Sequence, residues 1–182
     1  MIVFFGPAGA GKSVQGQIIA ARMGWRWLSM GQILRDAHDP EINQYMHEGK
    51  LIPSDVTNRI MGETIARSGD IDQIILDGFP RQIEQAQWLI ESQPEHGRAI
   101  GLVVVLEVPR EELLKRLSIR GRADDVPEAI DQRLQDYRQV MYPILGYFTE
   151  QSIPVIHVDG VGTVGEIHDR IYAELLSRNL AK

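Results

Sequence analysis

Residues 6–13, near the start of the chain, form a pattern that can bind phosphate. They read G-P-A-G-A-G-K-S, match G-x-x-x-x-G-K-[ST] and follow an apolar run, Ile2–Phe5. The glycines let successive backbone N–H groups point at an anion, and a helix beginning near Lys12 adds the positive end of its dipole. In this pattern Lys12 reaches the β and γ phosphates, and Ser13 offers its hydroxyl to Mg²⁺. A glycine-rich turn without a ligand is the alternative, but the flanking strand and helix patterns favour nucleoside triphosphate binding.

A second group follows the apolar run 74–76. Asp77 ends this predicted strand, Gly78 and Pro80 form a turn, and Arg81 comes directly after it, with Gln85 four residues further on. A carboxylate there can hold Mg²⁺ through water, and an arginine fork suits a phosphate. An aspartate at a strand end can also be a helix cap or a turn residue. Its position downstream of a phosphate loop favours the metal role.

Arginines form the third group. Arg116 and Arg120 are one helical turn apart and therefore share a face of the helix. A helix break at Gly121 places Arg122 on a loop. They could be a solvated charged face paired with two aspartates. Beside a phosphate loop, arginines that stabilise the charge of a transferring phosphoryl group are the favoured interpretation. The group comprises Arg116, Arg120, Arg122 and Arg133, with Asp124 and Asp125 among them.

The elements that must position these groups alternate along the chain. Short apolar runs predict strands at 2–5, 74–76, 102–108 and 155–158, with a weaker one at 25–28. Helical patterns cover 12–23, 54–68, 82–92, 110–119, 127–150 and 164–177. The alternation predicts an α/β fold, a three-layer α/β/α sandwich around a parallel sheet, and the phosphate loop after the first strand makes it one of the P-loop NTPase type. Ligands bind such sheets at the carboxyl ends of the strands.

Composition excludes several classes of protein. The 182 residues are 43% hydrophobic, which suits one globular domain with a sizeable core. A net charge of -6 argues against a nucleic-acid partner. The chain contains no cysteine, so disulfides and cysteine-ligated zinc are excluded. No signal peptide or long apolar span is recognised, and we therefore expect a cytoplasmic protein with no membrane partner.

Taken in order, these motifs resemble those of adenylate kinases, in the nucleoside monophosphate kinase family. The resemblance extends over essentially the whole chain, and its most specific string is Asp-Gly-Phe-Pro-Arg with a downstream glutamine. Its other elements are the phosphate loop, Leu28-Ser29-Met30-Gly31, Leu34-Arg35, Gly49-Lys50-Leu51-Ile52-Pro53, the arginine segment, Asp124-Asp125, Arg133 and Val158-Asp159-Gly160.

The resemblance implies a role for each matching residue. The residues implied to bind ATP are Gly9, Ala10, Gly11, Lys12, Ser13, Val14 and Arg116, and Arg116 lies against the adenine. Within the implied AMP site, Gln85 binds the base edge, and Arg35 and Arg81 bind the phosphate. The residues implied to bind AMP are Met30, Arg35, Ile52, Gly78, Arg81, Gln85, Arg122 and Arg133. The catalytic set is Lys12, Arg81, Arg120, Arg122 and Arg133, and Ser13 and Asp77 hold Mg²⁺ through water.

The chain departs from the family pattern in three places. Ser13-Val14 stands where Gly-Thr is usual, which suggests that Ser13 lies nearer the metal. Met30 stands where adenylate kinases commonly have threonine, so a polar contact to adenine is missing. The lid, predicted at 120–123, is very short and has no zinc-ligand positions. We expect a core of 1–27, 61–119 and 124–182, with a compact acceptor-binding insert at 28–60.

The predicted activity is MgATP + AMP ⇌ 2 ADP, by a monomer that uses Mg²⁺ and no zinc. The sequence leaves two alternatives open. A UMP/CMP kinase of the same fold would account for Met30, but such kinases typically carry asparagine where this chain has Gln85. A regulator that binds a nucleotide without turnover would not require the full arginine set.

Overall fold

A computed structural model describes residues 1–47, 52–69, 71–92, 95, 97–120 and 127–181, except for the side chains at 46, 120 and 129. Its centre is a five-stranded parallel sheet in the order β2-β3-β1-β4-β5. The strands are β1 (Ile2–Phe5), β2 (Arg26–Ser29), β3 (Ile74–Asp77), β4 (Leu102–Glu107) and β5 (Val155–Asp159). The predicted α/β fold and all five predicted strands are confirmed.

Helices connect the strands. Those described are α1 (Lys12–Met23), α2 (Met30–Asp36), α3 (Pro40–His47), α4 (Ser54–Ala66), α5 (Ile83–Glu91), α6 (Arg110–Arg120), α7 (Pro127–Glu150) and α8 (Val164–Ser177). The six predicted helices are confirmed with small shifts at their ends, whereas α2 and α3 were not predicted. Among the helices described, none has the length and apolar character needed to cross a membrane.

The hydrophobic core lies on both faces of the sheet. Side chains of β1 alternate between the two faces, with Val3 and Phe5 in one cluster and Ile2 and Phe4 in the other. On the first face α5 packs against α4 and α7, and on the second α1 packs against α8. Because both faces are covered, the three central strands β1, β3 and β4 are almost continuously apolar, which is why short hydrophobic runs located them.

Strand order reverses around β1. The chain leaves β1 through α1 toward β2 and β3 on one side, then crosses to β4 and β5 on the other. Such a switch opens a crevice at the carboxyl ends of the central strands. In the register of the sheet Phe4 is paired with Asp77, so the loop after β1 and the turn after β3 emerge side by side.

One glycine in α1 is required by packing. A Cβ atom at Gly16 would lie 2.7 Å from Cδ1 of the Trp27 indole, a distance at which the ring must move. We expect Gly16→Ala to lower the free energy of unfolding by about 1–3 kcal/mol, the usual cost of overpacking, despite alanine's better helix propensity. Denaturant unfolding followed by tryptophan fluorescence measures the change.

Gly146→Ala is the matched control. Gly146 also lies inside a helix, α7, but a Cβ there meets no atom within 4 Å. This variant should be more stable than the parent by about 0.5–1 kcal/mol, from helix propensity alone. Equal effects of the two substitutions would contradict the packing role assigned to Gly16.

Candidate active site

The loop between β1 and α1 has the backbone that a phosphate cradle requires. Gly9 and Gly11 have φ of 84° and 97°, a left-handed conformation that glycine adopts at little cost. Helix α1 begins at Lys12 and has no acidic residue in its first turn. The Lys12 ammonium donates to the carbonyl oxygens of Gly6 at 2.6 Å and Pro7 at 2.9 Å. The loop thus combines a helix N-terminus with a cation held over it, which suits a polyphosphate.

The two predicted metal-binding side chains contact each other. The Ser13 hydroxyl donates a hydrogen bond of 2.6 Å to Oδ2 of Asp77. Asp77 is the last residue of β3 and is only 3% exposed. A hydroxyl and a carboxylate are hard oxygen donors of the kind that Mg²⁺ prefers, and the chemistry of this pair therefore fits the metal.

The turn after β3 places Arg81 beside the same carboxylate. Gly78 has φ of 74°, and the peptide bond between Phe79 and Pro80 is cis. A Cβ at Gly78 would lie 3.1 Å from Nη2 of Arg81, so the guanidinium packs directly on this glycine. Arg81 is exposed at the crevice, and desolvation by the protein around it lowers the pKa of its guanidinium, whereas the neighbouring Asp77 raises it. An arginine remains protonated under such a shift and can bind an anion.

Gln85 lies beneath this turn. It is 3% exposed, its Oε1 accepts from the backbone N–H of Arg81 at 2.6 Å, and its Nε2 donates to the Thr57 hydroxyl at 3.0 Å. The glutamine therefore connects α5 to the Arg81 turn and to α4. Thr57 was not identified from the sequence, where it is an unremarkable residue in a helical pattern.

Arg116 lies at another part of the same edge. Its Nε donates to Glu112 at 2.8 Å and its Nη2 to the carbonyl oxygen of Gly160 at 2.8 Å. The Gly160 N–H in turn donates to the carbonyl oxygen of Glu107 at 2.8 Å. A Cβ at Gly160 would lie 2.6 Å from Val108, so this close approach of the loop after β5 requires glycine. These contacts hold the guanidinium plane against that loop.

The structure also describes further residues of the predicted set. Met30 and Ile52 are buried in one hydrophobic cluster with Phe79, and Val14 is 47% exposed. Arg35, in the last turn of α2, donates to Oε1 of Gln32 at 2.9 Å. The remaining described members are Ala10, which is buried, and Arg133, which is half-buried on α7.

Part of the prediction lies outside the described residues. Arg122, Gly121, Asp124 and Asp125 are not described, and neither is the Arg120 side chain, although its backbone ends α6. Gly49-Lys50-Leu51 is outside as well. The short lid at 120–123 and its arginines therefore remain predictions.

Sequence reasoning missed the residues that hold the site together. Glu112 could have been found, because it lies four residues before Arg116 on the same helix. Gln82, in contrast, accepts from the Ser54 hydroxyl at 2.8 Å and donates to the Ile52 carbonyl oxygen at 3.3 Å. No local pattern indicates contacts of this kind, since they join segments that are far apart in the chain.

This sheet order, with a phosphate loop at the switch point and a strand-end aspartate beside it, defines a P-loop kinase fold. The family model described as "Adenylate kinase" matches residues 4–153. The chain belongs to the adenylate kinase family.

Curated relatives match along nearly the whole chain. An adenylate kinase of Thermus thermophilus is 36% identical over 184 aligned positions, which cover 96% of each chain. One from Mycolicibacterium paratuberculosis is 35% identical over 180, covering 96% of this chain and 98% of the relative. One from Mycobacteroides abscessus is 38% identical over 175, covering 93% of this chain and 95% of the relative.

Proposed function

We propose that this chain catalyses MgATP + AMP ⇌ 2 ADP in the crevice at the carboxyl edge of β1 and β3. Membership of the adenylate kinase family makes it an ATP:AMP phosphotransferase. The observation that carries the assignment to this crevice is the 2.6 Å hydrogen bond between Ser13 and Asp77. It joins the phosphate loop to the turn that presents Arg81, so donor and acceptor phosphates can meet there.

On the donor side, the loop amides and Lys12 bind the β and γ phosphates of ATP. Lys12 already has its ammonium over the loop, within hydrogen-bonding distance of two carbonyl oxygens. Arg116 forms one wall of the adenine site, with its guanidinium plane fixed by Glu112 and Gly160. Because these contacts order the side chain in advance, less entropy is lost when the base binds.

Ser13 and Asp77 are the residues that would hold Mg²⁺, the Asp77 carboxylate through water. When bound, the metal neutralises phosphate charge and fixes the geometry of the polyphosphate. In this arrangement the Ser13 hydroxyl orients the carboxylate, and the carboxylate supplies the negative charge that attracts the cation. The family uses MgATP, which agrees with this oxygen donor set. We propose no zinc site.

On the acceptor side, Arg81 and Arg35 bind the phosphate of AMP, and Gln85 binds the base. No side chain needs to act as a covalent nucleophile, because the acceptor phosphate oxygen attacks the γ phosphorus in line. The enzyme's contribution is therefore positioning and charge stabilisation. Arg120, Arg122 and Arg133 complete the site by closing over the transferring phosphoryl group.

Met30 and Ile52 form the apolar surround of the acceptor base. Both are buried in the core that also contains Phe79, at the start of the Arg81 turn. An apolar surround discriminates between bases only modestly, so specificity for AMP depends on Gln85. We also propose that residues 28–60 form the acceptor-binding insert and residues 120–123 a very short lid. The proposed enzyme is a monomer that acts in the cytoplasm and needs no nucleic-acid or membrane partner.

Separate substitutions test the two sides. Arg81→Ala should raise KM for AMP by about 10- to 100-fold, the effect of losing a charged hydrogen bond to phosphate, with a much smaller change for ATP. Arg116→Ala should raise KM for ATP more than KM for AMP. Bisubstrate initial-rate kinetics measures KM for ATP and KM for AMP in both variants.

Arg110→Ala is the control for both. Arg110 begins the same helix as Arg116 but is half-exposed and paired with Asp131 at 2.5 Å, and it makes none of the contacts described for the site. Its kinetics should be those of the parent enzyme. If Arg81→Ala and Arg116→Ala weaken the binding of both nucleotides equally, the two sites are not divided as proposed.

The same assay tests the alternative function. If the parent protein binds ATP but shows no turnover with AMP, it is a regulator and not a kinase.

A further inference from the structure

The contacts of the buried Gln85 amide leave it only one orientation. Its oxygen faces the Arg81 backbone N–H at 2.6 Å, and a backbone N–H can only donate. Its nitrogen faces the Thr57 hydroxyl oxygen at 3.0 Å. Rotating the amide by 180° would place its NH₂ group against the Arg81 N–H, so two donors would face each other.

The second half of this constraint comes from Thr57. The Thr57 hydroxyl donates to the carbonyl oxygens of Ser54 at 3.0 Å and Pro53 at 3.3 Å. A hydroxyl has one proton, which is committed to these backbone acceptors, and it therefore meets Gln85 as an acceptor. Thr57 is itself 4% exposed, so water cannot replace this contact. In the rotated amide, the Thr57 hydroxyl could meet the amide oxygen only by withdrawing its proton from these backbone carbonyl oxygens.

Because the amide orientation is fixed, the positions of its remaining donor and its remaining acceptor are fixed as well. A primary amide has two N–H groups and two oxygen lone pairs. One of each is used by Thr57 and by Arg81, which leaves one N–H and one lone pair for a ligand. Adenine complements this pair with an amino N–H and a ring-nitrogen acceptor, and cytosine has the same order. Hypoxanthine, guanine and uracil present a carbonyl oxygen and a ring N–H instead, which is the reverse order.

We propose that Thr57 is a positioning residue that sets base specificity by fixing the amide of Gln85 in the orientation that accepts an amino base and opposes a keto base. The inference rests on the proposed contact between Gln85 and the acceptor base. A site with fixed polar groups rejects a ligand that leaves them unpaired far more strongly than an apolar pocket can reject one. Thr57 thus acts on the ligand only through Gln85.

The test compares AMP with IMP, two purines of equal size whose base edges are reversed. Initial rates with ATP give kcat/KM for both in the parent enzyme, Thr57→Val and Thr57→Ser. Thr57→Val keeps the shape and loses the hydroxyl, and we expect the AMP-to-IMP ratio to fall about tenfold, the scale of one hydrogen bond. KM for ATP should not change. Thr57→Ser should restore the ratio, because it restores the acceptor.

Gln85→Ala separates failure of this inference from failure of the proposed function. If Gln85→Ala leaves the AMP-to-IMP ratio unchanged, the glutamine does not contact the base, and the proposed acceptor site is wrong. If Gln85→Ala collapses the ratio while Thr57→Val keeps it within twofold, only the orienting role of Thr57 is overturned. In the double variant, Thr57→Val should have no further effect on the ratio, since it acts through Gln85.

A merely structural role for Thr57 would give a different pattern. Loss of packing would lower activity with AMP and IMP alike and would persist in the Gln85→Ala background, an outcome that overturns the proposal. If Thr57→Val does not fold, Thr57→Ala removes the same hydroxyl with less bulk. Its AMP-to-IMP ratio of kcat/KM then provides the same test.

Discussion

Lys12→Ala should lower kcat by about two to four orders of magnitude, the scale for losing one preorganised electrostatic group. The ammonium lies over the phosphate loop, held by the carbonyl oxygens of Gly6 and Pro7, where the transferred charge develops. Both hydrogen bonds stay within the loop, so we expect their loss to change thermal unfolding of the ligand-free variant by a few degrees at most. A coupled ADP assay and a thermal scan measure the two effects.

Lys115→Ala is the matched control for this prediction. Lys115 is 72% exposed on α6 and its ion pair with Glu112 spans 3.9 Å, so its loss should leave turnover unchanged. Near-normal turnover of Lys12→Ala would show that the loop binds nucleotide without taking part in transfer. A severe loss of stability would instead assign Lys12 a structural role.

Asp77→Asn should lower kcat by about two to three orders of magnitude, because a neutral amide attracts the cation and its waters far less than a carboxylate does. The substitution keeps the shape of the side chain and an oxygen that can accept from Ser13, whose hydroxyl now lies 2.6 Å away. The Mg²⁺ concentration for half-maximal activity should rise. Titrating Mg²⁺ at fixed ATP measures this shift directly.

Asp72→Asn provides the control at the opposite end of the same strand. Asp72 is exposed and precedes β3, whereas Asp77 ends it, so only the Asp77 substitution should alter the Mg²⁺ dependence. Unchanged Mg²⁺ dependence in Asp77→Asn, together with lowered kcat, would assign the carboxylate to positioning Arg81 and would remove it from the metal site.

Short helices show where local pattern was insufficient. Helices α2 and α3 have seven and eight residues and were not predicted. Helices of this length are marginal in isolation and gain their stability from packing. Leu34 and Ile42, one from each helix, are buried in the same cluster as Met61 and Phe79. Their helical state therefore depends on neighbours that are distant in the chain.

Within the site, Gln85 likewise has one property that the local sequence predicts and others that depend on tertiary packing. Its resemblance to a base-reading glutamine could be recognised from the Asp-Gly-Phe-Pro-Arg string before it. Its burial, and the orientation set by Arg81 and Thr57, could not. Thr57 is 28 residues away in the sequence, and the hydrogen bond exists because α4 and α5 pack side by side.

The sequence by itself determined the features that arise within a few residues. Apolar runs defined the strands of a sheet covered on both faces, and the residue types of the phosphate loop defined its backbone and its ligand class. Only the tertiary structure decided which distant groups meet: Ser13 with Asp77, Arg116 with the Gly160 carbonyl oxygen, and Thr57 with Gln85. The physical reason is that strand periodicity and loop glycines reflect local backbone geometry, whereas these contacts depend on the sheet order and on helix packing across both of its faces.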